Sequence, residues 1–339
     1  MTIRIGLMGF GRVARELYRL AARQSDDVEI VAMADIAAPS VLEYLVNEEG
    51  IGSDGFELTG NWLDAGRFRT RMLQISDPHE VPWDALGADV VVEATGRFCD
   101  RNALDAHIAN GAHRALLATL PAEPLDRLVI PGVNQNDATV SDRRISVGSA
   151  TTTAFALMVR VLDDAFGVAH ASMTTVHNFT SDQPAQDSAR DDPRRSRAAG
   201  KNIIPNGTDT PKWVGEILPH LEGRLSGYAL NVPVQKGSLL DLSVVFERRG
   251  VDSSAINATF AAARAATPEL IGIAEDPIVS SDIIDRTHSV TIDAHATLGC
   301  ADRIAKVLGW YDARGHAARI LDVVRHYADL DQAAGDPRL

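Results

Sequence analysis

IRIGLMGFGRVARELYRLAARQ, residues 3–24, decides how the first half of this chain folds. Residues 3–8 form an apolar, strand-like run that passes straight into glycines, and the stretch from Val13 onward places apolar side chains at helical spacing. Between them Gly9, Gly11 and Ala14 spell G-x-G-x-x-A, with Phe10, Arg12 and Val13 as the intervening residues. In such a loop the first glycine allows a tight turn and the second lets the backbone approach a pyrophosphate. The third small residue lets the helix close on the strand, and the helix N-terminus offers unpaired N–H groups to the anion.

Working outward, VEIVAMAD (28–35) is a second strand that closes on Asp35. An acid about 20 residues past the loop can accept hydrogen bonds from the adenosine ribose hydroxyls. It would also repel the extra phosphate of NADP, so the spacing favours NAD. ADVVVEATG (88–96) is a near-continuous apolar run, as expected of a parallel strand buried on both faces. NALDAHIANGAH (102–113) reads as helix and RALLATLP (114–121) as strand. This alternation predicts a Rossmann-type, doubly wound parallel sheet.

Past residue 150 the texture changes. AHASMTTVHNFT (169–180), YALNVPVQKGSLLDLSVVFE (228–247) and HSVTIDAHA (288–296) read as long strands, with SAINATFAAARAAT (254–267) as a helix between them. An α+β domain with an open, mostly antiparallel sheet follows. GHAARILDVVRHYADL (315–330) is an amphipathic helix.

Composition narrows the function. The 339 residues carry a formal charge of −13, which argues against a general nucleic-acid or membrane-surface role but not against phosphorylated small molecules. No apolar run reaches the roughly 18–20 residues of a membrane span, and the N-terminus lacks the pattern of a secretory signal, so a cytoplasmic protein is expected. The two cysteines, Cys99 and Cys300, form neither a disulfide framework nor a metal motif, and no metal is expected.

GFGRVAR (9–15), VEATGRF (92–98), PGVNQ (131–135), GSATTT (148–153), TTVHNFTSDQ (174–183), RRSRAAGKNIIP (194–205) and GWYD (309–312) stand in an order and at a spacing that resemble the glyceraldehyde-3-phosphate dehydrogenase family over essentially the whole chain. The resemblance implies an NAD-binding domain of residues 1–149 plus 314–339, a catalytic domain of residues 150–313, and a homotetramer. Active members of the family oxidise an aldehyde through a cysteine thioester that inorganic phosphate then cleaves. A histidine activates the thiol, and His177 stands at its place. Thr95, Gly96, Thr119 and Ala313 join the loop residues around the cofactor. Ser149, Thr151, Arg197 and Thr208 correspond to the site of the attacking phosphate. Thr180, Asp182 and Asn231 correspond to the site of the substrate's own phosphate.

The departures lie at the reactive end. The family's S-C-T-T-N-C reads Ser149-Ala150-Thr151-Thr152-Thr153-Ala154, so a methyl group occupies the nucleophile position. Asn231 replaces the arginine that grips the substrate phosphate, with Lys236 nearby. Ala313 and Met8 replace asparagines, and Thr119 replaces a serine. Three readings follow. A cysteine has been exchanged to trap a ligand, or a homologue has taken up other chemistry with His177 as acid/base, or the chain is a non-catalytic nucleotide-binding sensor or assembly protein.

Overall fold

A computed structural model describes residues 2–48 and 55–335. The chain divides into two compact units, Met1–Ser149 with Ala317–Leu339, and Ala150–His316.

The first unit begins with β1 (Ile3–Met8), α1 (Arg12–Gln24), β2 (Val28–Asp35) and α2 (Pro39–Glu48). Three short strands follow, β3 (Glu57–Thr59), β4 (Trp62–Asp64) and β5 (Arg69–Gln74), then α3 (Trp83–Leu86) and β6 (Val90–Glu93). The unit continues with α4 (Arg101–Ala109), β7 (Arg114–Leu117), β8 (Arg127–Leu128) and β9 (Arg144–Ser146). The sheet order is β3-β4-β5-β2-β1-β6-β7-β9-β8. All pairings are parallel except β3–β4 and β4–β5, an antiparallel edge that the sequence pattern had not signalled. Every residue of β6 and β7 is buried, which explains their unbroken apolar reading. β2 pairs with one side of β1 and β6 with the other. The carboxyl ends of β1 and β6 therefore form the switch point at which open α/β sheets bind ligands.

The second unit opens with α5 (Ala150–Phe166), β10 (Val168–Asn178), β11 (Ile204–Asn206), α6 (Thr210–Ile217) and β12 (Leu225–Val232). It continues with β13 (Ser238–Phe246), α7 (Ser253–Ala266), β14 (Ile271–Ala274), β15 (Val290–Ala301) and β16 (Ile304–Tyr311). Its sheet, β11-β12-β10-β13-β16-β15-β14, is antiparallel except at β10–β12 and β14–β15. The stretch 228–247, expected as one strand, is two strands that flank β10 on opposite sides. Pro233 lacks an N–H for a ladder, and Gly237 adopts φ +80°, so the chain breaks here and crosses the end of β10. Alternate residues of β13 are buried, and α5, α6 and α7 pack on the sheet. The other side chains of the alternation, at Thr174, Tyr228, Asp241 and Leu308, stand in register across the opposite face. Tyr228 is 50% exposed there.

The last helix, α8 (Ala313–Ala334), sends Ala317, Ile320, Leu321, Val324 and Tyr327 into the same core as Leu7 and Leu17. Its end is held by a buried clip. Arg114 and Asp331 form a two-pronged ion pair, while Arg114 also donates to the carbonyls of Asp142 (2.8 Å) and Val140 (2.8 Å). The guanidinium lies 5.0 Å from the Tyr327 ring centre. No helix of the described residues is long and apolar enough to cross a membrane.

Removing one partner of a buried ion pair strands the other charge, at a cost of about 3–5 kcal/mol. Asp331→Ala should therefore lower the urea midpoint strongly, whereas Arg114→Met with Asp331→Leu should recover most of the loss. A single variant with the wild-type midpoint, read by far-ultraviolet circular dichroism, would show that the clip contributes nothing.

Candidate active site

The nucleotide half is built where β1 ends. Gly9 has φ +87°, and a Cβ there would lie 2.8 Å from the N, Cα and Cγ2 of Thr95. Only glycine permits that approach, so the turn after β6 sits directly on the loop after β1. Gly11 is the N-cap of α1, with no side chain to cap the helix and no acid in its first turn. The helix start is therefore open to an anion. Phe10 is buried, with its ring edge-on to Tyr18 at 5.6 Å, so what it offers the loop is backbone. Its N–H donates to Asp35 Oδ2 at 2.7 Å, and Ala37 N–H donates to Oδ1 at 2.9 Å. Each carboxylate oxygen has a second lone pair with which to meet ribose hydroxyls. Arg12 and Val13 stand half-buried in the first turn of α1.

Thr95 is fixed by Glu93, whose Oε1 accepts from Thr95 N–H at 2.9 Å and from its hydroxyl. The hydroxyl oxygen in turn accepts from Arg97 N–H at 3.1 Å, across Gly96 at φ +67°. Thr119 follows β7, and its carbonyl accepts from Ser146 Oγ at 2.7 Å. Ser149 directly precedes α5.

In the second unit, strand alternation collects the reactive end. His177 and Thr175 lie on the buried parity of β10, His177 opposite Asn231 of β12, and Ser238 of β13 opposite Tyr311 of β16. Tyr311 is the hub: its hydroxyl lies 2.7 Å from Thr151 Oγ1 and 2.5 Å from Thr175 Oγ1. Burial pushes the Tyr311 hydroxyl up to about 12, although its hydroxyl partners pull it back, so the ring stays neutral. The GWYD stretch thus contributes its tyrosine to the network, through partners far away in sequence. His177 Nδ1 is 2.6 Å from the Asn178 carbonyl, which can only accept, so Nδ1 carries a hydrogen and donates it. The His177 ring centre is 6.2 Å from that of Tyr311.

Ala150 is the first residue of α5, a position whose helix dipole would lower a thiol's pKa; it carries a methyl group instead. Cys99 lies in the first unit, where burial and the carboxylates of Glu93 and Asp100 push its thiol up. Cys300 is exposed near the end of β15. Ala313, which opens α8, offers no polar side chain.

Asn231 is buried, and both ends of its amide are used within the protein. Its Oδ1 accepts from Asn206 Nδ2, and its Nδ2 donates to the Asn178 carbonyl at 3.3 Å. Thr180 donates its hydroxyl to Asp182, and Arg195 pairs with the same carboxylate. Burial raises the Asp182 carboxyl, but Thr180 and Arg195 outweigh it and hold the group below its usual range. Arg195, in the RRSR stretch that shows no periodicity, is thus the cation beside this pair. Arg197 Nε pairs with Asp187 at 3.0 Å, and Thr208 Oγ1 accepts from Thr210 N–H at 3.3 Å at the start of α6.

Comparison with known proteins agrees with this layout. Residues 3–101 match the NAD binding domain of glyceraldehyde 3-phosphate dehydrogenase, and residues 149–313 match its C-terminal domain. The chain is 40% identical over 329 residues to glyceraldehyde-3-phosphate dehydrogenase 1 of Streptomyces avermitilis, covering 95% of this chain and 98% of that one. It is 38% identical over 340 residues to the glyceraldehyde-3-phosphate dehydrogenase of Mycobacterium tuberculosis, covering 96% and 98%. With an NAD-binding first unit and similarity across nearly its whole length, this chain belongs to the glyceraldehyde-3-phosphate dehydrogenase family of oxidoreductases, and its cofactor is NAD.

Proposed function

We propose that this chain holds NAD and a phosphorylated small molecule, and that as written it does not carry out the family's thioester reaction. The observation that carries this reading is the methyl group of Ala150 at the start of α5, on a scaffold that otherwise keeps His177 oriented and Tyr311 neutral. A methyl group cannot add to a carbonyl, and loss of a covalent nucleophile costs about 10⁶ in rate in a well-studied hydrolase. Thr151 is a poor replacement, because a hydroxyl is far harder to deprotonate than a thiol.

What remains supports a simpler two-electron exchange. NAD would supply the two-electron exchange when bound, and His177 would take up or return the proton of the substrate's hydroxyl. Gly9, Phe10, Gly11, Arg12, Val13, Asp35, Thr95, Gly96, Thr119 and Ala313 would hold the cofactor. Ser149, Thr151, Arg197 and Thr208 would form one anion site, and Thr180, Asp182 and Asn231 the other, with Arg195 as its cation. The committed amide of Asn231 favours a second reading, a non-catalytic nucleotide-binding sensor or assembly protein, because the cation of that end, Arg195, is already paired with Asp182. The sheet face that carries Tyr228 fits a second copy of the chain, and we infer a homotetramer.

Calorimetry should show NAD binding to the protein as it stands, and inorganic phosphate should bring about no reduction of NAD by a phosphorylated aldehyde. Ala150→Cys should raise that rate by at least about 10³-fold. His177→Asn should abolish turnover of an alcohol or aldehyde substrate and leave NAD affinity within a factor of about two. Binding without any His177-dependent turnover across a panel of phosphorylated substrates would select the non-catalytic reading. Light scattering after size exclusion should give four times the 36.4 kDa chain mass, and a monomer would refute the assembly.

A further inference from the structure

Behind the nucleotide half lies a chain of three fully buried side chains that the reaction does not use. Trp83 Nε1 is 3.0 Å from His107 Nδ1, and His107 Nε2 is 3.1 Å from Glu93 Oε2. All three residues are essentially without exposure. An indole N–H can only donate, so Nδ1 of His107 must accept. The ring hydrogen is therefore on Nε2 and donates to Glu93. At the other end the Thr95 hydroxyl accepts from the N–H groups of Arg97 and Phe98, at 3.1 and 3.3 Å, so its own proton goes to Glu93 Oε1. Glu93 thus receives donors on both oxygens, two from the Thr95 turn and one from the helix α4 that carries His107.

We propose that His107 is a positioning residue for the cofactor: locked as the neutral Nε2–H tautomer by Trp83, it orients Glu93, which in turn fixes the Thr95 turn against Gly9 and so shapes the pyrophosphate end of the NAD site. The inference rests on the cofactor assignment to this loop. Its physical basis is that a buried carboxylate with one oxygen unmatched would draw the Thr95 turn out of place. The displacement falls on the loop that Thr95 touches at Gly9. Asp35 keeps the Ala37 N–H, which lies outside that loop, so the adenosine end moves least.

The test compares NAD and adenosine binding by calorimetry in wild type, His107→Leu and His107→Gln. His107→Leu should weaken NAD about tenfold, the scale of one hydrogen bond to a charged group, and leave adenosine, which has no phosphate for the loop, within about twofold. His107→Gln can accept from Trp83 and donate to Glu93, so it should regain most of the NAD affinity. Equal losses of NAD and adenosine, or unchanged NAD binding in a folded His107→Leu protein, overturn the proposal. A wild type that binds neither ligand overturns the cofactor assignment and this inference with it. Should His107→Leu not fold, the imidazole ¹⁵N shifts of wild-type His107 decide. A bare Nδ1 with a protonated Nε2 supports the relay, and an Nδ1–H or an imidazolium refutes it.

Discussion

The contact between Gly9 and Thr95 is the constraint on which the nucleotide half depends. Two strands that flank each other in a parallel sheet end side by side, and the turns that leave them compete for the same space. Because Gly9 has no side chain, the turn after β6 can lie directly on the turn after β1. Both are then pinned from behind by acids, Asp35 through Phe10 and Glu93 through Thr95. The loop geometry is thereby set by hydrogen bonds to the scaffold, before any ligand arrives. Such preorganisation lowers the ordering cost of binding.

The second unit is organised around a hydroxyl rather than a glycine. Tyr311 gathers Thr151 from α5 and Thr175 from β10 at one end of the helix-covered face. Its burial keeps it a neutral hydrogen-bonding node. The network is complete although Ala150, beside Thr151, carries only a methyl group. Asn231 shows the same economy: its amide satisfies Asn206 and Asn178 without needing a ligand.

Much of this was legible in the residues. The glycine spacing, the acid at the end of β2 and the apolar runs of β6 and β7 are local signals, since each depends on its own period or turn chemistry. The split of residues 228–247 was marked by Pro233 and Gly237, but nothing local says that its two halves straddle β10. The antiparallel edge β3-β4-β5 was missed because three short strands carry too few residues to show alternation. Arg195 and Tyr311 were passed over because their partners lie distant in sequence or in a loop, with no periodicity to join them.

By itself, the sequence determined the fold class, the family and NAD as the cofactor, because these reside in short motifs, their spacing and their periodicity. The tertiary structure alone decided which side chains meet. It turned Asn231 toward Asn178 and Asn206, set Tyr311 between two threonines and linked Trp83 through His107 to Glu93. The physical reason is that hydrogen-bond partners are chosen by strand register and burial. A buried donor must find its acceptor wherever the fold brings one, however far along the chain it lies.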